Sequence, residues 1–371
     1  MKIDRILHTP EGVRDIYDGE CERKLVLEDI LQQKMRLYGF ENIQTPTLEY
    51  FDVFSEERGT FAAKDMYKLF DREGNTLVLR PDITPSIARC VAKYFTTEKP
   101  VRLCYTGNTF INSSEYQGKP KELTQTGAEL IGDGSAVADA EILALTVECL
   151  LAAGLKEFQV EIGEVGFFRA IVEEAGIGAD DLEELMLLIN DKNSFGLEAF
   201  MDKFSLDEEL KKVFLNLPTM FGSVTKLSEF KKMTKNPQAI VAIERLERIY
   251  ELMKLYGYEN YVSFDLGMLS KFGYYTGIIF NAYTYGLGDA LISGGRYDKL
   301  VGQFGKDAPA VGMAVFVDRL LAAVMRQNIE FESRAAVQCF CAGEDCCEAE
   351  LKKVIEMRRS GKAAKLDITA G

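Results

Sequence analysis

The stretch from Leu103 to Gly132 constrains the fold of this chain more than any other, because it reads as two β-strands joined by a polar loop. Successive side chains of a strand point to opposite sides, so alternate positions share one face. On the second strand these positions are Leu123, Gln125, Gly127, Glu129 and Ile131. Gly127 leaves a gap between an amide and a carboxylate, which suits a small cationic ligand. The alternation alone favours a simpler interpretation, a polar face exposed to solvent.

Three other segments place this hairpin in a wider pattern. They are Arg80–Pro85 (RPDITP), Gly273–Gly277 (GYYTG) and Ser293–Asp298 (SGGRYD). Together with the hairpin they resemble, in the same order, the RPE-T segment, motif 2 and two histidine-specific motifs of the histidyl class II aminoacyl-tRNA synthetases. The resemblance covers most of the first 320 residues. It implies an α+β fold, in which helices flank an antiparallel sheet and a helical insertion interrupts the domain.

The residues that match this family's histidine pocket are retained. The resemblance assigns the ammonium side of a bound histidine to Asp82, Thr84, Gln125 and Glu129, and the imidazole side to Tyr275, Arg296 and Tyr297. Two carboxylates in one apolar cleft are costly unless a cation pairs with them. The ammonium group of histidine is such a cation, so the retained residues predict a histidine-binding site.

The positions that handle ATP in the synthetases are changed. Ile111 stands where the family's motif 2 has the arginine that holds the α-phosphate, and Ser113 stands where it has a glutamate. Ser270 replaces an arginine that assists activation, and Phe316 replaces a glycine beside the adenine. Isoleucine and serine cannot imitate the bidentate, permanently charged contacts of arginine. Although Arg319 of the third motif remains, we expect no catalytic residues and no cofactor.

A chain that keeps the amino-acid pocket and loses the nucleotide site resembles the regulatory subunits of short-form ATP phosphoribosyltransferase, the first enzyme of histidine biosynthesis. The resemblance implies a non-catalytic subunit, L-histidine as its effector, and a hetero-oligomer (a hetero-octamer) with the catalytic transferase. Residues Glu20 to Glu49 resemble motif 1 and imply a homodimer core. Two alternatives remain open: an active histidyl-tRNA synthetase or other adenylate-forming enzyme, and a dimeric scaffold that binds no small ligand.

The length of 371 residues suits one large domain with an insertion, or two domains. We expect a synthetase-like domain over residues 1–330 with a helical insertion at about 168–257, where apolar residues recur at helical spacing. Residues 335–371 predict a short β-α-β piece. By the resemblance, this piece is a vestigial or truncated anticodon-type domain.

Local signals predict several boundaries in the first half of the chain. A helix is expected from Cys21 to Tyr38, with Gly39 as its C-terminal stop. Ser135 predicts the N-cap of a second helix over Ala136–Ala153. Between these helices, the segment from Phe40 to Leu48 predicts a strand.

Composition excludes several classes of partner and site. The net charge of −14 and the pI near 4.9 argue against a nucleic-acid partner, tRNA included. The start of the sequence, MKIDRILHTPEG, has no apolar core of signal-peptide length, and no run reaches transmembrane length, so we expect a cytoplasmic protein without a membrane partner. Eight irregularly placed cysteines suit free thiols. Cys339, Cys341, Cys346 and Cys347 lack paired CxxC spacing, and the only histidine is His8, so no metal site is expected.

Overall fold

The computed structural model describes residues 6–55, 61–96, 99–112, 120–269, 273–330, 338–341 and 348–367. Its helices are α1 Asp18–Leu37, α2 Thr84–Tyr94, α3 Ala136–Ala152, α4 Val165–Ala175, α5 Ala179–Asn190, α6 Ser194–Met201, α7 Glu208–Asn216, α8 Val224–Lys231, α9 Pro237–Tyr256, α10 Val317–Arg326 and α11 Glu348–Arg359. Its strands are β1 Glu41–Asn42, β2 Leu48–Tyr50, β3 Lys68–Phe70, β4 Thr76–Leu79, β5 Val101–Phe110, β6 Glu122–Ile131, β7 Phe158–Glu164, β8 Phe221–Gly222, β9 Val262–Asp265, β10 Ile278–Thr284, β11 Ile292–Arg296, β12 Ala310–Phe316, β13 Gln338–Cys341 and β14 Ala364–Asp367.

The main sheet of the described chain has nine strands in the order β1-β5-β6-β12-β11-β10-β7-β9-β8. Its neighbours are antiparallel except β1 with β5 and β7 with β9, which are parallel. The α+β fold with a flanked sheet is therefore confirmed, although the sheet is mixed and not purely antiparallel. Strands β2, β4 and β3 form a second, antiparallel sheet.

The hairpin that the sequence singles out is confirmed as β5 and β6. Its register places Tyr105 opposite Gly127 and Leu103 opposite Glu129. On its other side β6 pairs with β12, where Gly312 lies opposite Glu129. Strand β6 therefore runs through the sheet with a partner on each side, and its side chains are held in a fixed row.

The predicted helices form for the reasons read from the sequence. Leu27, Leu31 and Met35 are buried at i, i+4 spacing along α1, and Gly39 follows with φ +77°. The Ser135 side chain accepts a hydrogen bond from the main-chain N–H of Ala138 at the start of α3. Both helix boundaries agree with the expected ones to within a few residues.

The single strand expected over Phe40–Leu48 is wrong, because two short strands, β1 and β2, replace it. A backbone carbonyl oxygen between these two strands accepts a hydrogen bond from a side chain and not from a neighbouring strand. Arg80 donates from Nη1 to the carbonyl oxygen of Thr45 at 2.8 Å, and from Nε to the carbonyl oxygen of Asn108 at 2.9 Å. This arginine ties the segment before α2 to the hairpin.

A hydrophobic cluster holds α2 against the sheet. It contains Ile83, Ile87 and Val91 from the helical side, together with the rings of Tyr105, Tyr274 and Tyr297. Burying this much apolar surface fixes the rings in place, because packed interiors leave little room for alternative rotamers.

The described chain divides into two compact units. The larger comprises residues 1–15 and 27–329, and the smaller comprises residues 16–26 and 330–371. In the larger unit, residues 165–256 form α4 to α9 with the short strand β8 among them. In the smaller, β13 and β14 pair in parallel with α11 between them in sequence. The relation of these regions to a synthetase insertion and an anticodon-type domain stays a prediction. Among the described helices, none has the length and apolarity to cross a membrane.

Candidate functional site

A cavity of about 600 Å³ lies between the main sheet and the segment that leads into α2. It gathers every predicted histidine-binding residue except Arg296. These residues are Asp82 and Thr84 before and at the start of α2, Gln125 and Glu129 on β6, Tyr275 before β10, and Tyr297 after β11. The alternative of a solvent-exposed face on β6 is wrong, because Gln125 is 8% exposed and Glu129 is 1% exposed.

Glu129 is held by two hydroxyl donors. Thr84 donates from Oγ1 to Oε1 of Glu129 at 2.7 Å, and Tyr297 donates from its hydroxyl to Oε2. Gly312, opposite on β12, makes room for this carboxyl group, because a Cβ at that position would overlap Oε2. The residues that fix the carboxylate thus come from α2, β12 and the turn after β11.

Asp82 is the second acidic group of the cavity. Its Oδ1 accepts hydrogen bonds from the main-chain N–H groups of Ile83 at 2.7 Å and Thr84 at 3.4 Å. Tyr274 is a further hydrogen-bond partner of its side chain. Burial raises the pKa of Asp82, and these hydrogen bonds lower it in part.

The two carboxyl groups make the cavity attractive to a cation. Burial raises the pKa of Glu129, the hydrogen bonds from Tyr297 and Thr84 lower it, and the charge of Asp82 raises it, so that the pKa is about 8. Both groups are therefore harder to ionise than exposed carboxyls. A bound cation would lower both pKa values, since opposite charges stabilise the ionised form.

Gln125 presents an acceptor to the cavity. Its Oε1 is buried and has no hydrogen-bond partner among the described residues. Leaving a buried carbonyl oxygen unpaired costs about 1–3 kcal/mol. An N–H donor on a ligand would recover this cost, so the amide is suited to a nitrogen-bearing ligand.

Tyr105 is a component that the sequence interpretation missed. The gap expected above Gly127 is not open to a ligand, because the phenol of Tyr105 occupies the place where a Cβ of Gly127 would lie. Tyr105 is 3% exposed, and burial raises its pKa, as do the charges of Glu129 and Asp82. The hairpin register contained the signal, since it places Tyr105 directly opposite Gly127.

Arg296 is the predicted binding residue that the structure places elsewhere. Its side chain is 2% exposed, does not line the cavity, and forms ion pairs with Asp139 at 2.6 Å and Asp298 at 2.9 Å. Consecutive strand residues point to opposite faces, so Arg296 points away when Tyr297 faces the cavity. Asp139 also pairs with Arg245 of α9, which links β11 to that helix.

The positions predicted to differ from the synthetases divide into two groups. Ile111 and Phe316 line the cavity, whereas Ser113 and Ser270 lie outside the described residues. The guanidinium carbon of Arg319 lies 4.2 Å from the centre of the Phe316 ring, and its Nη1 donates to the carbonyl oxygen of Ala290 at 2.9 Å. A phenyl ring therefore covers one face of the retained arginine.

The described side chains include no group of three or more histidine, cysteine, aspartate or glutamate residues placed to hold a metal ion. Cys346 and Cys347 of the sequence cluster lie outside the described residues.

Comparisons with known proteins match nearly the whole chain. A family model described as histidyl-tRNA synthetase matches residues 12–320. A relative from Acetivibrio thermocellus named ATP phosphoribosyltransferase regulatory subunit is 38% identical over 366 residues, covering 98% of this chain and 88% of that protein. A relative of the same name from Clostridium acetobutylicum is 40% identical over 368 residues, covering 97% of this chain and 89% of that protein.

A solved structure extends the match to three dimensions. The crystal structure of an ATP phosphoribosyltransferase regulatory subunit/histidyl-tRNA synthetase from Bacillus halodurans aligns with a TM-score of 0.88 at 33% identity. The alignment covers 99% of this chain and 94% of that chain. Sequence and structure agree over nearly the full length, and the cavity lies inside the matched region. The chain therefore belongs to the ATP phosphoribosyltransferase regulatory subunits, a family related to the histidyl-tRNA synthetases.

Proposed function

We infer that this protein is the non-catalytic regulatory subunit of a short-form ATP phosphoribosyltransferase and acts in histidine biosynthesis. Family membership supports the role, because the relatives carry that name over nearly the whole chain. The site supports it too, since Ile111 and Phe316 stand where a synthetase needs groups for ATP. The transfer of a phosphoribosyl group to ATP then belongs to the partner subunit.

We propose that the effector is L-histidine, bound in the cavity. The observation that carries this proposal is the convergence of Asp82, Glu129 and the unpaired Oε1 of Gln125 on one buried space. An ammonium group matches the carboxylates, and N–H donors match the amide oxygen. Tyr275 and Tyr297 supply aromatic walls that suit the imidazole ring.

We also propose a homodimer core through Glu20 to Glu49 and a hetero-octamer with the catalytic subunit. The resemblance of this segment to motif 1 supports the dimer. Light scattering on the isolated chain at micromolar concentration tests it, and the expected mass is twice 41.6 kDa. A monomeric mass under these conditions would remove the dimer from the proposal.

The decisive experiment combines this chain with a short-form transferase. The two chains should co-purify, and transferase activity should require this chain and fall when L-histidine is added. A transferase that is equally active alone, and equally insensitive to L-histidine with and without this chain, would refute the regulatory role.

A further inference from the structure

Glu164 is a buried carboxyl group that does not line the cavity. It ends β7 and caps α4, where its Oε1 accepts a hydrogen bond from the main-chain N–H of Gly166 at 3.1 Å. The residue is 4% exposed, and its Oε2 has no hydrogen-bond partner among the described residues. The elements around it, α3, α4, α9 and β11, are described without gaps. An ionised carboxylate in this place needs a cation as its partner.

Two arginines act on Glu164, and both are bound to Asp139 of α3. Arg296 pairs with Oδ1 of Asp139 at 2.6 Å, and Arg245 donates from Nε to Oδ2 at 2.8 Å. One buried carboxylate thus holds two guanidinium groups, while the other holds none. This distribution suits a protonated Glu164, because an ionised one would compete with Asp139 for a cation.

Helix α9 brings Arg245 towards both carboxyl groups, because it packs against α3 and α4. Oε1 of Glu164 and Cβ of Ala242 lie 3.1 Å and 3.8 Å from one point, the place where a Cβ of Gly166 would be. The carboxyl group of Glu164 is therefore close to Ala242 on α9. Arg245 follows three residues later and lies on the same face of the helix, one turn away.

Of the two arginines, Arg245 is the one with freedom to move. Its side chain is 28% exposed, and besides Asp139 it donates to the carbonyl oxygen of Gly134 at 3.0 Å. The side chain of Arg296 is 2% exposed and has a second ion pair, with Asp298 at 2.9 Å. Arg296 can therefore stay on Asp139 while Arg245 changes its partner.

We propose that Glu164 and Asp139 are alternative partners of Arg245, so that the protonation state of Glu164 decides whether α9 is tied to α3 or to the start of α4. When Glu164 ionises, Arg245 leaves Asp139, which keeps Arg296. Each buried carboxylate then has an arginine of its own. This switch is independent of the proposed function, because Glu164 does not line the cavity.

The switch operates near neutral pH. Burial raises the pKa of Glu164, the hydrogen bond from Gly166 and the charges of Arg245 and Arg296 lower it, and Asp139 raises it, so that the pKa is about 7. The folded chain thus keeps a proton that the unfolded chain releases. The contribution of Glu164 to the free energy of unfolding therefore falls as the pH rises from about 4.5 to about 7.

A double-mutant cycle on the whole chain tests the change of partner. Urea denaturation of wild type, Glu164→Gln, Arg245→Met and the double variant gives the coupling of the two residues at about pH 5.5 and about pH 8.5. We expect no coupling at the lower pH and about tenfold or more in the equilibrium constant of unfolding at the higher pH. The matched cycle with Glu161→Gln, on the same strand, should show none at either pH. The absence of coupling at both pH values, or equal coupling at both, would overturn the proposal.

Crystals of the wild-type chain give an answer that does not depend on any variant. At about pH 5.5 the guanidinium group of Arg245 should lie within hydrogen-bond distance of Asp139, as it does here. At about pH 8.5 it should lie within that distance of Oε2 of Glu164. An Arg245 side chain that stays on Asp139 at both pH values would refute the switch.

Discussion

Glu129 is the residue on which the chemistry of the cavity depends most. It accepts from Thr84 and Tyr297, and Gly312 is the residue that gives its carboxyl group room. Glu129→Gln keeps the shape and removes the charge that would face an ammonium group. A charge-assisted hydrogen bond contributes about 1.5–3 kcal/mol, so the affinity for L-histidine should fall about tenfold or more.

Calorimetry on the purified variant measures this loss. Glu122→Gln is the matched control, because Glu122 lies on the same strand, does not line the cavity and pairs with Asn108. The control should bind L-histidine like the wild type. Identical binding curves for Glu129→Gln and wild type would place the histidine site elsewhere.

The raised pKa of Glu129 gives binding a pH dependence. Burial raises this pKa to about 8, so below that pH the carboxyl group carries a proton that must leave before an ammonium group binds. Affinity should therefore rise as the pH increases from about 7 to about 8, a range above the ordinary pKa of the ligand's imidazole. At higher pH the affinity should fall again, because the ammonium group of the ligand loses its proton.

Calorimetry in buffers of different ionisation enthalpy detects the proton directly. Binding at about pH 7 should release protons in the wild type, and Glu129→Gln should release fewer. Equal proton release by both would show that another group, such as the neighbouring Asp82, is the one that titrates on binding.

At the scale of elements, β11 connects the cavity to the helical region. Arg296 at its end pairs with Asp139 of α3, and Asp139 pairs in turn with Arg245 of α9. Tyr297, the next residue, holds Glu129. Arg296→Met would leave the fully buried Asp139 with Arg245 as its remaining ion-pair partner among the described residues. Breaking a buried pair costs roughly 3–5 kcal/mol when a charge is left without a partner, and Arg245 still compensates Asp139, so the free energy of unfolding should drop by less than that amount.

Urea denaturation followed by circular dichroism measures this change. Arg245→Met is the matched variant, because it removes the partly exposed member and leaves the Arg296–Asp139 pair intact. Its loss of stability should be clearly smaller. Equal losses of stability in the two variants would mean that the ion pair of Arg296 with Asp139 contributes no more to stability than the ion pair of Arg245 with Asp139.

Elements with strong local signals could be predicted, and contacts between elements could not. The Ser135 cap and the stop at Gly39 depend on a few neighbouring residues, and both form as expected. The alternation of side chains along a strand correctly predicted which residues of β6 share one face. The same alternation, applied to β11, would have placed the side chain of Arg296 away from the cavity. The strand expected before β2 failed because Arg80, a residue distant in sequence, takes the carbonyl oxygen of Thr45.

At the scale of the whole molecule, a family model described as histidyl-tRNA synthetase matches residues 12–320, while the ATP positions are predicted to have changed. We expect no histidine-dependent exchange of pyrophosphate into ATP, because Ile111 cannot hold a phosphate and the Phe316 ring covers Arg319. A radiolabelled exchange assay with a histidyl-tRNA synthetase as positive control checks this. Exchange above the protein-free level would restore the synthetase as a candidate function.

The stacking of Phe316 on Arg319 also affects whether single substitutions could restore a nucleotide site. An arginine restored at position 111 would meet a nucleotide site whose other cation is still covered by a ring. A glycine restored at position 316 would uncover Arg319 while the phosphate partner is still missing. We therefore expect that neither substitution alone would bring back ATP binding, and that a return to nucleotide chemistry would need both positions to change together.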